Sequence, residues 1–282
     1  MTGARDAAAN AQAALLLEVA GTPKPGNVDR ERDLSDLHFE EFLLGTVGAG
    51  PGLRAARDGD SVGEAFELAV GGMADRAGTN TQFGALLLLV PLVRAAVAGE
   101  EDPLDAVDDV VAGTTVEDAA AFYRAADQID VFVRDPPAGA GPLDLRRGAD
   151  AVPAVRQRGL TLREVLSLGD DADDVAAEWT GGFRRTAAAA AAVADADGPL
   201  VDRAADTFLR LLAAEPDSLV AGQHGDDVAR EVTDRAADLL DADRAAVAGF
   251  ADDLVERDVN PGTTADLTAA GLFVALERGV EP

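Results

Sequence analysis

The sequence predicts an all-α fold, a single multi-helix globular domain with short loops spanning residues 1–282. Three observations carry that expectation. Apolar residues recur at helical spacing through most of the chain, alternating strand-like runs are scarce, and the 48% hydrophobic fraction is largely alanine, with only 4% aromatics. Small side chains bury little area each, so such a core needs many helices rather than a few large anchors.

Along the chain, Gly21 and Gly26 bracket a Pro-rich loop, and Gly48 and Gly52 mark a second loop. Ser61 with Glu64 three residues on reads as a capping box. Val62, Ala65, Phe66, Ala69, Val70 and Met73 are the apolar stripe of the helix it opens. The segment Gly78-Thr-Asn-Thr-Gln-Phe-Gly84 opens an apolar helix running to Val97. Its apolar run, residues 85–93, is about half of what a membrane span needs, and so reads as a buried helix. Thr115 with Asp118, and Thr161 with Glu164, mark further helix starts with acidic first turns. Residues 129–133 read as a short extended piece before a proline loop at 135–142. Asp173, Glu178 and Trp179 lie on a helix, with Trp179 expected in the core. The alanine run at 187–192 is helical. Stripes through Leu200, Phe208 and Leu212, through Val228, Val232 and Ala236, and through Val247, Phe250 and Leu254 mark three more helices. A last helix follows Asn260-Pro-Gly.

The formal net charge of −28 at pH 7 is spread along the whole chain. Nucleic acid and anionic membranes require basic patches, so neither is expected as a partner. Asp outnumbers Glu, and Arg almost replaces Lys. Such a surface suits a high-salt cytoplasm, where counterions screen its self-repulsion. The absence of cysteine excludes disulfides and thiolate metal sites. The first ten residues show no basic-then-apolar secretory signal, so the expected location is cytoplasmic.

The scarce residue types are the informative ones. Lys24 is the single lysine, flanked by Pro23 and Pro25. His38 and His224 are the two histidines, and Asn27, Asn80 and Asn260 stand in loops rich in Gly, Thr or Pro. Composition pressure removes such residues where they are free to go. The Lys24 loop makes physical sense as a phosphate or ribose grip: stiff prolines, a glycine at Gly26 for close approach, and Asp29 and Arg30 as carboxylate and guanidinium. A plain helix-terminating turn is the other reading. Thr79, Asn80 and Thr81 before the apolar helix form either an anion site or an ordinary N-cap. The segment Asn260 to Asp266 has the same two readings. Among 52 acidic residues any single carboxylate is by default a solvated surface group.

Taken in order, these motifs resemble a known family. Thr22-Pro-Lys-Pro-Gly-x-Val-Asp-Arg30 comes first, then His38, then Gly78-x-Asn-Thr-x-x-Gly84. Asp173-x-x-Ala-x-x-Trp179 follows with Gly182-Phe183, then Pro216-Asp-Ser-Leu219 and Asn260-Pro-Gly-x-x-Ala-Asp-Leu267. The chain resembles the triphosphoribosyl-dephospho-CoA synthase (CitG-like) family from Leu15 to Leu276. The resemblance implies an all-helical transferase that displaces adenine from ATP with a ribose hydroxyl of dephospho-CoA. It implies phosphate contacts from Lys24, Asn27 and Arg30, and a metal or ribose contact from Asp29. His38 would be the proton donor and Asp173 a catalytic carboxylate. Thr79, Asn80 and Thr81 would hold phosphate or ribose, with Asp217, His224, Asn260 and Asp266 completing the pocket. A Mg2+ shared between carboxylates and phosphates fits such chemistry, and a homo-oligomer is left open.

Two departures stand out. Gln82 and Phe83 replace a His-Lys pair of the family, and Gly222 and Gln223 replace Arg-Lys. Both remove positive charge from places expected to face polyphosphate. Two competing readings therefore stay open: an enzyme of the same fold with another coenzyme-biosynthesis substrate, and a non-catalytic nucleotide-binding protein.

Overall fold

Helix α1 (Ala7–Ala20) starts at Asp6, whose carboxylate accepts from the amides of Ala8 and Ala9. The computed structural model describes residues 6–98, 102–136 and 139–281. Residues 1–5 of the amino-terminal reading and residues 137–138 of the proline loop lie outside the described residues. Among the described residues there are fifteen α-helices and two 3-10 segments, and no strand.

Helices α2 (Phe39–Asp58) and α3 (Val62–Ala77) form an antiparallel hairpin. Gly48 and Gly52 were expected in a loop, but they lie inside α2. A Cβ at Gly48 would collide with the Gly72 carbonyl, and one at Gly52 with the Ala69 amide. Each glycine costs about 1 kcal/mol of helix propensity, and here it lets two helix backbones touch. The capping pair Ser61–Glu64 starts α3 as expected.

Helix α4 (Phe83–Ala96) begins later than the sequence suggests. Gly78 ends α3 with a left-handed φ of 74°, and Asn80 Oδ1 accepts from the Phe83 amide at 3.2 Å. Eleven of the fourteen residues of α4 are buried, as for a helix apolar on all sides. Pro91 lies within it and has no N–H to give the Leu87 carbonyl four residues back. Trp179 fills that gap: it is wholly buried and its Nε1 donates to Leu87 O at 3.2 Å. Trp179→Phe is therefore expected to cost about 1–3 kcal/mol in denaturant unfolding by orphaning that carbonyl. Adding Pro91→Ala, which restores the helical donor, should return much of the loss.

Helices α5 (Pro103–Ala112) and α6 (Val116–Ala126) follow, the latter starting at Thr115 as expected, where Thr115 and Asp118 form a capping box. Residue 129 is a bend and residues 130–136 form neither helix nor strand, so the piece expected at 129–133 is irregular chain. Two 3-10 segments (Gly141–Leu143 and Leu145–Ala151), α7 (Val152–Arg158) and α8 (Leu162–Leu166) lead to α9 (Asp174–Gly181) and the alanine-rich α10 (Arg184–Asp195). Then come α11 (Leu200–Ala214), α12 (Ser218–His224), α13 (Asp226–Asp238), α14 (Arg244–Glu256) and α15 (Gly262–Glu277). Twelve of the sixteen residues of α15 are buried, and Gly271 lets it touch α10 at Ala189. The main apolar cluster surrounds α4 and α15, and a second one joins α11 to α14. Helices α11 and α15 contribute to both, which fixes the start of α15 where the two meet. Among the described residues no helix is long and apolar enough to cross a membrane.

Candidate active site

After α1 the chain loops through residues 22–38, and Asp29 is the hub of that loop. Its Oδ2 accepts from the Thr22 hydroxyl at 2.8 Å, the Lys24 amide at 3.1 Å and Arg32 Nη1 at 3.3 Å. Its Oδ1 accepts from the Glu31 amide at 2.8 Å. A carboxylate has about four acceptor positions, so Asp29 is turned wholly into its own loop rather than toward a metal or ribose. Gly26 has φ of 72°, and a Cβ there would strike the Val259 carbonyl. The close approach this glycine permits is to the chain's own residues 259–261, not to a ligand.

Lys24 is fully buried. Its ammonium donates to Glu18 Oε1 and to Asn27 Oδ1, the latter at 2.9 Å, and it lies 5.7 Å from the centre of the Phe208 ring. The anion beside Lys24 is thus the protein's own Glu18. Three tetrahedral donors on a slim stem meet these three partners, and a planar guanidinium does not offer that geometry. Burial pushes the Glu18 carboxyl above its ordinary range, and Lys24 opposes that shift. Asn27 Nδ2 donates to Asn260 Oδ1 at 2.8 Å. A polar chain therefore runs from the end of α1, through Glu18, Lys24 and Asn27, to Asn260 at the start of α15.

Beside Asn260, the first turns of α4, α9, α12 and α15 meet. Asp217 joins two of them: Oδ1 accepts from the amides of Leu219 and Val220 in α12, and Oδ2 from the Thr264 amide and hydroxyl in α15, each at 2.7 Å. Burial pushes its carboxyl up to about 6 despite those bonds. Asp174 ties α9 to α12: its amide donates to Ser218 Oγ at 3.1 Å, and its Oδ2 lies 2.7 Å from Arg185 Nη1. Ser218 Oγ in turn donates to Thr263 Oγ1 at 3.2 Å.

Two carboxylates of this cluster keep oxygens free of such ties. Asp173 caps α9 through the Ala176 amide at 3.0 Å and is open to solvent. Desolvation by its neighbours nonetheless raises its carboxyl above the ordinary value, and the charge of Asp174 adds to that. Asp266 on α15 is half-buried, and its carboxylate sits directly against Gly84 in the first turn of α4, where a Cβ would collide with it. Desolvation raises the Asp266 carboxyl well above its ordinary value. The charges of Glu18, Asp217 and Asp173 push the same way, and a bond from the Ala85 amide opposes them.

Other residues singled out in the sequence lie apart from this cluster. His38 stands before α2 with its side chain half exposed and its Nδ1 3.6 Å from Glu41 Oε2, so it faces that helix and not Asp266 or Asp173. His224 ends α12, half-buried. Arg30 is exposed, with no ion-pair partner among the described residues. Thr79 is half-buried; Asn80 starts α4 and also donates to the Asp130 carbonyl at 3.2 Å; Thr81 Oγ1 is buried against Gly45. Gln82 bonds Thr46, and Phe83 meets the Phe66 ring at 5.1 Å. Both point into the core, so they do not occupy places that face polyphosphate.

The sequence reading passed over Glu18, Asp174, Ser218, Thr264 and Arg134. A signal existed for Glu18: a carboxylate in the last turn of a helix opposes the dipole and calls for a nearby cation. Ser218 stood in the Pro216-Asp-Ser-Leu219 motif. No signal existed for Asp174, Thr264 and Arg134, which are ordinary residues in ordinary spacing. Among the described residues no group of three His, Asp or Glu side chains is placed to hold a metal ion. A cavity of about 430 Å³ is lined by residues 126–131, Leu145, Arg146 and Gly148 and does not contain the cluster.

Comparison with known proteins shows the family of the chain. The family model described as CitG, ATP:dephospho-CoA triphosphoribosyl transferase, matches residues 4–281. A crystal structure from Archaeoglobus fulgidus, of a protein assigned as a triphosphoribosyl-dephospho-CoA synthase, superposes with a TM-score of 0.70. It is 24% identical and covers 84% of this chain and 99% of its own, a likeness that establishes the all-helical fold. No curated protein matches the chain. The chain therefore belongs to the CitG family, whose reaction transfers a triphosphoribosyl group from ATP to dephospho-CoA.

Proposed function

We propose that adenine is displaced at the carboxylate cluster where α4, α9, α12 and α15 begin, with Asp173 and Asp266 as the catalytic pair. The observation that carries this is the packing of the Asp266 carboxylate against Gly84 in the first turn of α4; desolvation and the charges of Glu18, Asp217 and Asp173 raise that carboxyl. Glycosyl transfer needs one carboxyl that keeps a proton and another that takes one; desolvation raises both carboxyls, Asp266 the further, and Arg134 opposes the rise of Asp173. Asp266, crowded and dry, keeps its proton and donates it to adenine as the C1′–N9 bond breaks. Asp173, open to solvent, accepts the proton of the attacking ribose hydroxyl as the new C1′–O bond forms. Its charge also stabilises the oxocarbenium-like ribose between the two events. Solvent then returns a proton from Asp173 to Asp266.

Lys24, Asn27 and Asn260 serve this centre by position. The buried Lys24–Glu18 pair fixes the loop, and Asn27 fixes the Asn260 amide at the edge of the site. Thr79 and Asn80 precede α4, whose first turn packs against Asp266, and Arg30 supplies an exposed cation on the loop. The donor set does not form a protein-only metal cage. A Mg2+ carried by the triphosphate would supply counter-charge to it and would need only one or two protein carboxylates, Asp173 being the exposed one of this cluster. The acidic surface and the dependence on ATP support a high-salt cytoplasm as the place of work.

Chromatography of free adenine tests the assignment, in molar KCl so that charge repulsion does not unfold the protein. ATP with dephospho-CoA should yield adenine, and ATP alone should yield almost none. Release with ATP alone, or none in either case, would reject the acceptor or the reaction.

A further inference from the structure

We propose that Arg134, on the irregular segment 130–136, is a substrate-binding residue that supplies to the active site the positive charge that α12 itself lacks. Helix α12 carries Gly222 and Gln223, so it brings no cation to its exposed face. Gly222 leaves room for the segment to cross there: a Cβ at that position would stand 2.7 Å from the Phe132 ring and 3.2 Å from Arg134 Nε. The Phe132 ring, 47% exposed, thus lies on Gly222, and the Arg134 guanidinium lies beside it. Arg134 Nη2 donates to the Ser218 carbonyl at 3.2 Å, which holds it over the first turn of α12. Its charge reaches Asp173 and counters the rise of that carboxyl.

Arg134 is otherwise unspent. It is exposed, and among the described residues no carboxylate lies within 4.0 Å of its guanidinium, in a chain with 52 acidic residues. Arg185, by contrast, is ion-paired, with Asp174 at 2.7 Å and Glu215 at 3.7 Å, although its buried Nη2 has no hydrogen-bond partner. A guanidinium left with free donors at the rim of a carboxylate cluster is suited to a polyphosphate, which it grips in fork geometry. The chemical class of ligand is the triphosphate portion of a nucleotide. This rests on the reaction assigned above, but its test does not depend on turnover.

The probe is inorganic tripolyphosphate, with ATP in parallel, titrated by calorimetry into the full chain at fixed KCl. Arg134→Gln should weaken both about tenfold or more, the loss of one charge-assisted contact, with the melting temperature unchanged. Where adenine release is measurable, KM for ATP should rise more than kcat falls. Gly222→Ala should weaken tripolyphosphate binding too, because its methyl displaces Phe132 and Arg134 while favouring the helix. Arg156→Gln, on α7 and paired to Glu117, removes the same formal charge and should leave binding unchanged. Equal affinity of wild type and Arg134→Gln for tripolyphosphate would overturn the assignment, as would an equal loss in Arg156→Gln, which would report only net charge. If wild type binds tripolyphosphate but never releases adenine, the reaction falls and the role of Arg134 is still decided by these affinities.

Discussion

Exchanging Asp266 for Asn is expected to remove turnover while making the protein more stable. Asp266→Asn keeps the shape of the side chain and withdraws the proton that leaves with adenine, so kcat should fall by about 10²–10⁴-fold. The stability effect follows from linkage. The carboxyl is raised well above its ordinary value in the folded protein. The native state therefore binds this proton more tightly than the unfolded chain. Stability is lost as pH rises from the ordinary value through the raised one, because an ion crowded by Glu18, Asp217 and Asp173 must then be kept. Asn carries no such cost. The variant should gain about 0.5–2 kcal/mol over wild type at neutral to alkaline pH, as functional-site replacements commonly do. The gain should vanish as pH falls toward the ordinary carboxyl range. Urea unfolding across pH at constant KCl reads both halves of the expectation.

The second large effect concerns the buried ion pair. Lys24→Met leaves Glu18 without its partner in a site closed to water, and such a break costs about 3–5 kcal/mol. Glu18 is already raised by burial, and loss of Lys24 raises it further. The penalty should therefore be largest at neutral pH and shrink as acid protonates Glu18. The double variant Glu18→Gln with Lys24→Met removes both charges and should recover most of the stability, since a buried pair replaced as a unit is often close to neutral. Lys24→Arg should not behave as wild type, because the fork cannot reach Glu18, Asn27 and the Phe208 face together. A surface lysine would give changes within about 0.5 kcal/mol in every case.

The single lysine shows how far the sequence could be read. Its retention in an arginine-biased chain did mark a position that no other side chain fills. Rarity says only that a residue has a fixed partner, however, and the partner proved to be Glu18, six residues earlier. Helix content was legible because apolar periodicity and caps such as Thr115–Asp118 are local. Gly48 and Gly52 misled for the opposite reason: their role depends on Gly72 and Ala69 in another helix, which no local pattern encodes. The cluster was half legible. Asp173, Asp217, Asn260 and Asp266 stood out through ordered motifs, whereas Asp174 and Arg134 gain their positions from the convergence of four helix starts. Gln82 and Phe83 suggested lost phosphate contacts, yet both face the core, and only Gly222 among the departures borders the site.

The most direct measurement of the central claim is free adenine formed from ATP and dephospho-CoA by wild type and Asp266→Asn, followed from acid to alkaline pH in molar KCl. Wild-type turnover should decline as pH climbs through the raised carboxyl, and the Asn variant, folded and more stable, should form almost no adenine at any pH. Adenine formation by Asp266→Asn at the wild-type rate would place the reacting atoms elsewhere and remove the cluster from the chemistry.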